Sequence, residues 1–124
     1  MLFKNRKPMV SNNLMGIVLA GGEGVRLQNF VTGIYGQPRP KQYCTFTGTR
    51  SMFKHTIDRV SLLIPPRRIL TVVNNNHKQF IDTELKKSPE LIILEQPCMR
   101  DTAAGILYPL LKINHTNPSA TVAI

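Results

Sequence analysis

Short apolar runs alternate with stretches of helical patterning along the chain. The runs Met15–Ala20, Ile69–Val73 and Leu91–Leu94 have the length of buried strands, and a fourth, Ala120–Ile124, follows a turn at Asn117-Pro118. Strands that alternate with helices are typical of right-handed crossovers. The pattern therefore predicts an α/β fold with a mostly parallel sheet and helices on both of its faces.

The first helical segment has the clearest boundaries. Ser51 is a suitable N-cap residue, and Pro65-Pro66 ends the pattern. Apolar residues between them recur at three- and four-residue steps, as expected for one buried face of a helix. These residues are Met52, Phe53, Ile57, Val60 and Leu63/Ile64.

Two further helices are predicted in the second half of the chain. One runs from about His77 to Lys87. The other takes Asp101 or Thr102 as its N-cap and continues to about Asn114. Pro109 lies inside this second pattern and is predicted to kink the helix.

Ligands of parallel α/β sheets bind beyond the carboxyl ends of the strands. Three predicted loops lie there, after Ala20, Val73 and Leu94. The first, Gly21–Gln42, is long and rich in glycine, proline and basic residues, with a helical turn predicted near Leu27–Ile34. The search for chemistry therefore begins in these loops.

A glycine-rich segment, L-A-G-G-E-G-V-R-L at residues 19–27, spans the end of the first strand. Its three glycines allow backbone N–H groups to converge on a phosphate oxygen, and Arg26 adds a planar fork of donors. The dinucleotide-binding pattern GxGxxG fails because Leu27 stands where the last glycine is needed, and GxxxxGK[ST] is absent. A glycine turn without a ligand is the alternative.

Two other segments offer polar groups near the same edge of the sheet. Arg39-Pro40-Lys41-Gln42 places an ammonium after a proline, which suits a phosphoryl group but also describes an ordinary surface lysine. The segment E-Q-P-C-M-R-D-T-A at residues 95–103 lies between a strand and a helix. There Gln96 offers a donor and an acceptor to a base edge, and the helix N-terminus faces the same cleft.

Taken together, these segments resemble the mannose-1-phosphate guanylyltransferases, a branch of the sugar-1-phosphate nucleotidyltransferases. The resemblance rests on L-A-G-G-x-G-x-R-L after the first strand, P-K-Q further along, and P-x-x-R-[ND]-T-A before a later helix, and it runs from about Gly16 to Ile124. It implies a Rossmann-like nucleotide-diphospho-sugar transferase fold. The P-K-Q and R-D-T-A segments favour the mannose branch.

The resemblance implies roles for the residues at matching positions. Those that would bind the nucleotide are Leu19, Ala20, Gly21, Gly22, Glu23, Gly24, Arg26 and Gln96. Arg26 would contact the departing pyrophosphate and Lys41 would bridge the two reacting phosphates, so these are the catalytic candidates. Gln96 would read the base. The residues that would bind the substrate are Lys41, Arg100, Asp101 and Thr102.

The chain also departs from the family pattern. Val25 stands where the family usually has Thr or Ser, which removes a hydroxyl donor, and Asn29 stands where Pro is frequent. Family members are longer, and their magnesium-binding Asp follows a strand like Thr121–Ile124. The resemblance therefore implies a truncated nucleotidyltransferase domain over residues 14–124 whose metal ligand lies beyond Ile124.

By resemblance, the complete enzyme would transfer GMP from GTP to mannose 1-phosphate with Mg²⁺, giving GDP-mannose and pyrophosphate, and this chain alone would be inactive. Two alternatives stay open. One is another hexose-1-phosphate nucleotidyltransferase, for example one using glucose 1-phosphate. The other is a non-catalytic nucleotide-binding remnant.

Charge and composition narrow the classes of partner. The net charge is +9, and residues 1–62 carry nine basic and two acidic side chains. The basic residues are scattered and aromatic residues make up 6% of the chain, which disfavours a nucleic-acid surface. A pocket for a phosphate ligand explains the excess of positive charge better. An acidic segment missing from this chain would explain it as well.

The remaining features are ordinary for a cytoplasmic protein. No apolar run approaches the length of a membrane span, and residues 1–13 are interpreted as a flexible basic tail. Cys44 and Cys98 have no metal-ligand spacing and are predicted to be reduced thiols. Assembly into a homo-oligomer is left open.

Overall fold

A computed structural model of the protein describes residues 13–98 and 100–124, and its strands form one parallel sheet. The strands are β1 (Leu14–Ala20), β2 (Ile69–Asn74), β3 (Ile92–Gln96) and β4 (Thr121–Ala123). The α-helices are α1 (Gln28–Tyr35), α2 (Met52–Ser61), α3 (Lys78–Leu85) and α4 (Asp101–Thr116). The strand order is β3-β2-β1-β4, which confirms the predicted α/β fold.

The sheet separates two apolar cores. Consecutive strand residues point to opposite faces, so Val18 joins the core under α2 and α3 whereas its neighbour Ile17 joins the core under α4. The helices contribute Ile57 and Ile81 to the first core and Ile113 to the second. Helices therefore cover both faces, as predicted.

The first predicted helix begins as expected but ends early. Ser51 caps α2, because its hydroxyl oxygen accepts a hydrogen bond from the Lys54 N–H at 3.0 Å. The helix stops at Ser61, so Leu63 leaves the helical register and is 58% exposed, whereas Ile64 is buried. The helical turn predicted near residues 27–34 is confirmed as α1.

The start of α4 differs from the prediction. Arg100 occupies the N-cap position without a side-chain capping bond, so the predicted cap at Asp101 or Thr102 is wrong. Asp101 has a φ of 57° and is the one non-glycine residue with positive φ in the described ranges. A side-chain capping bond therefore does not set the start of this helix. Pro109 lies fully buried inside the helix.

The first described residue, Asn13, lies beside the start of β4. The Asn13 carbonyl accepts a hydrogen bond from the Thr121 N–H at 3.0 Å, which joins it to the start of that strand. The rest of the predicted tail, residues 1–12, lies outside the described residues. Within the described ranges, no helix has the length and apolar character needed to cross a membrane.

Candidate functional site

The carboxyl ends of β1, β2 and β3 meet at one edge of the sheet. Ala20 pairs with Val73, and Asn74 pairs with Gln96. The segment Gly21–Gly24, here called the glycine loop, leaves β1 at this edge. In the described part of the chain, the N–H groups of residues 22–24 donate to no protein acceptor. They are therefore available to an anion, as the sequence predicts.

Gly24 has the backbone conformation that the loop requires. Its φ is 66°, and a Cβ at this position would lie 3.2 Å from the backbone nitrogen of Lys41. A side chain here would strain the backbone and push Lys41 away. The glycine thus brings two separate segments of the chain into contact.

Gly24→Ala is expected to lower the free energy of unfolding by about 1–2 kcal/mol, the cost of a left-handed conformation for an L-residue. Urea denaturation measures this change. Gly22→Ala is the matched control, because a Cβ there meets nothing within 4 Å. Equal stability of the two variants would contradict the strain argument.

The side chain of Gln42 holds the glycine loop in place through two hydrogen bonds. Its Nε2 donates to the Ala20 carbonyl at 2.8 Å and to the Gly22 carbonyl at 2.9 Å. The P-K-Q segment therefore contributes a structural amide beside its lysine. This role of Gln42 could not be predicted from the sequence, because nothing local indicates a contact across 20 positions.

Two cations face one shallow cavity of about 320 Å³, lined by Gly24, Val25, Arg26, Leu27 and Lys41. Arg26 and Lys41 are both exposed, and neither forms an ion pair with any described residue. The structure thus brings together the two residues predicted to be catalytic. Their positive charges are available to a phosphorylated ligand.

A second cavity, of about 260 Å³, also contacts the glycine loop. It is lined by Leu19, Gly21, Gly22, Val72, Gln96, Asp101, Thr102 and Gly105. Gln96 is only 7% exposed, and its amide has no hydrogen-bond partner among the described residues. The amide atoms themselves are not fully buried, so the amide is open to water or to a ligand in this cavity. Its position favours the predicted contact with a base.

Two predicted site residues point elsewhere. Glu23 directs its carboxylate toward the end of β2, where Asn74 Nδ2 donates to Oε1 at 2.8 Å. Arg100 is exposed and lines neither cavity; its Nε lies 3.4 Å from Cys98 Sγ. Of the R-D-T-A segment, Asp101 and Thr102 reach the second cavity.

Arg39 packs against two aromatic rings and donates a hydrogen bond within the segment that carries Lys41. Its guanidinium carbon lies 4.6 Å from the centre of the Tyr35 ring and 5.2 Å from that of Phe80, and its Nη1 donates to the Tyr43 carbonyl at 3.4 Å. Burial raises the pKa of the Tyr43 hydroxyl, and the charge of Glu84 raises it further. Sequence reasoning missed this support because the two rings come from different elements.

The two cysteines are free, as predicted, and differ in burial. Burial raises the pKa of the Cys44 thiol against a smaller lowering effect of Arg39, whereas Cys98 is exposed. A thiol reagent at mildly alkaline pH is expected to label one thiol quickly and the second only after denaturation. Cys98→Ser should abolish the fast phase, and equal rates for both thiols would contradict the burial of Cys44.

Residues 15–124 match the profile of a family described as nucleotidyl transferase. A mannose-1-phosphate guanylyltransferase of Salmonella montevideo is 35% identical over 99 residues, which cover 77% of this chain and 20% of that protein. Another, from Escherichia coli, is 30% identical over 120 residues, which cover 93% of this chain and 25% of that protein. The chain thus spans a fifth to a quarter of these relatives.

A solved structure is similar as well. It is described as a mannose-1-phosphate geranyltransferase from Thermus thermophilus and superimposes with a TM-score of 0.67 at 25% identity. The match covers 84% of this chain and 29% of that one. The Rossmann-like fold implied by the sequence resemblance agrees with this neighbour.

Proposed function

This chain belongs to the nucleotidyl transferase family, and we propose that it acts within a mannose-1-phosphate guanylyltransferase. The proposed reaction transfers GMP from GTP to mannose 1-phosphate. A phosphate oxygen of the sugar phosphate attacks the α-phosphorus of GTP, the bond from that phosphorus to the β-phosphate oxygen breaks, and pyrophosphate leaves. Such a reaction requires mainly positioning and neutralisation of charge.

The observation that carries the proposal is that residues of the glycine loop line two cavities. Gly21 and Gly22 line the cavity that holds the Gln96 amide, and Gly24 lines the cavity that Arg26 and Lys41 face. A nucleoside in the cavity lined by Gln96 would direct its phosphates toward the free N–H groups of the loop. There the two cations would neutralise the transferred phosphoryl group and the pyrophosphate.

Magnesium belongs to the proposal and not to the described site. In the described ranges, no three His, Cys, Asp or Glu side chains converge as metal ligands. Mg²⁺ in nucleotide sites is held largely by the substrate phosphates and one or two carboxylates, and it would neutralise phosphate charge.

Two measurements test the proposal. Calorimetric titration of the chain with GTP, ATP, UTP and CTP is expected to show binding of GTP. Pyrophosphate release by the protein isolated from its source is then expected with GTP plus mannose 1-phosphate, and not with glucose 1-phosphate. Turnover with glucose 1-phosphate would reassign the sugar, and nucleotide binding without turnover would support a non-catalytic module.

The remaining partner predictions need their own measurements. Retention of the chain on DNA with salt-dependent affinity and no GTP binding would contradict the proposal. Sedimentation of the purified protein tests self-association, and cell fractionation tests the expected cytoplasmic location.

A further inference from the structure

Glu23 is an acidic side chain within the loop that we propose binds phosphates. A free carboxylate there would repel an anionic ligand. Both of its oxygens instead face the protein: Oε1 accepts a hydrogen bond from Asn74 Nδ2 at 2.8 Å, and Oε2 lies 3.4 Å from His77 Nε2. The Glu23 side chain is nevertheless 47% exposed, so burial does not force this orientation.

The two partners of Glu23 are themselves held in place. Asn74 ends β2 and is 3% exposed, and its Oδ1 accepts a hydrogen bond from the Asn76 N–H at 3.1 Å, which leaves Nδ2 for Glu23. His77 is 2% exposed and packs edge-on against the Tyr43 ring, with 5.7 Å between ring centres. The receiving groups are therefore rigid.

We propose that Asn74 and His77 are positioning residues that hold Glu23 as a strut between the glycine loop and β2. Gln42 also holds the loop, because its side chain donates hydrogen bonds to the Ala20 and Gly22 carbonyls. Glu23 then acts through its acceptor oxygens and contacts neither the nucleotide nor a metal ion. This inference rests on the proposed function, because it concerns the loop that would bind the phosphates.

Substitutions of Glu23 separate its acceptor atoms from its charge. Glu23→Ala removes the strut and is expected to weaken GTP binding by about tenfold, the loss for one hydrogen bond. Glu23→Gln keeps an acceptor for Asn74 without the charge, so its affinity for GTP is expected to stay within about threefold of the unaltered chain. Guanosine, which lacks phosphates, is expected to bind all three proteins equally.

Variants of the partner residue complete the test. Asn74→Ala is expected to reproduce the effect of Glu23→Ala, and the double variant is expected to be no weaker than either single one, because both remove the same contact. Glu90→Ala, an exposed residue away from the loop, is the matched control for the loss of one negative charge.

The experiment is calorimetric titration of the full chain and its variants with GTP and with guanosine, and each unfavourable result has a distinct meaning. Equal loss of GTP affinity in Glu23→Gln and Glu23→Ala would overturn the inference, since the charge and not the acceptor would then matter, as for a metal ligand. Equal loss of GTP and guanosine affinity in Glu23→Ala would also overturn it, because the defect would be general.

If the unaltered chain does not bind GTP, the proposed function fails, and amide hydrogen exchange then decides the inference without a ligand. Faster exchange of the Leu27 N–H, which donates to the Gly24 carbonyl at 3.0 Å, in Glu23→Ala but not in Glu23→Gln would support the strut. Identical exchange in the two variants would overturn it.

Discussion

Replacing Lys41 with alanine is expected to lower turnover in the proposed reaction by roughly 10²–10³-fold, the cost of losing one preorganised stabilising group. The Lys41 side chain faces the same cavity as Arg26 and is paired with no acid among the described residues. Its backbone is held against Gly24. In the proposed reaction, the ammonium would neutralise charge on the transferred phosphate.

Pyrophosphate release under saturating GTP and mannose 1-phosphate measures this effect as kcat. Lys112→Ala, an exposed lysine of α4, is the control for loss of a positive charge elsewhere. Lys41→Arg should recover part of the activity, because it keeps the charge but changes the donor geometry. An unchanged kcat in Lys41→Ala would remove this residue from the mechanism.

The second large effect is expected from Gly105→Val. A Cβ at Gly105 would lie 3.2 Å from Gln96 Nε2, a contact short enough that the Gln96 amide has to move. A valine is therefore expected to displace Gln96, to lower the free energy of unfolding by about 1–3 kcal/mol through overpacking, and to weaken GTP binding by about 10–100-fold through lost hydrogen bonds to the base.

Calorimetric titration and urea denaturation measure the two consequences of Gly105→Val separately. Gly33→Val is the matched control, because Gly33 is also helical but a Cβ there meets nothing within 4 Å. It carries the cost of valine in a helix without the clash. If both variants bound GTP equally well, Gln96 would not be the group that contacts the base.

Much of the fold could be predicted because its signals are local. The apolar run Met15–Ala20 lies in β1, and Ser51 caps α2 as expected. Helical and strand periodicities depend on neighbouring residues, so they can be read without knowledge of the tertiary structure. The wrong cap at the start of α4 shows the limit of this reasoning, because Asp101 and Thr102 have the preferred side chains and neither occupies the cap position.

Some residues of the candidate site could likewise be predicted from the sequence, and others could not. The glycine loop, Arg26 and Lys41 were predicted from residue types, spacing and family resemblance, and the structure brings both cations to one cavity. The roles of Gln42, Asn74 and Gly105 could not be predicted. Each depends on a contact with a segment distant in the chain, such as the hydrogen bond between Glu23 and Asn74 across 51 positions.

The sequence alone thus determined the order of the elements, the class of the fold and the segments that meet the proposed nucleotide, because periodicity, turn chemistry and motif spacing are properties of neighbouring residues. Only the tertiary structure decided where the side chains of those segments point. The parallel crossovers bring Asn74 and Gln96 to the same edge as the glycine loop. There the hydrogen bond from Asn74 orients Glu23 toward the protein. Arg26, Lys41 and the Gln96 amide line the cavities and are available to a ligand.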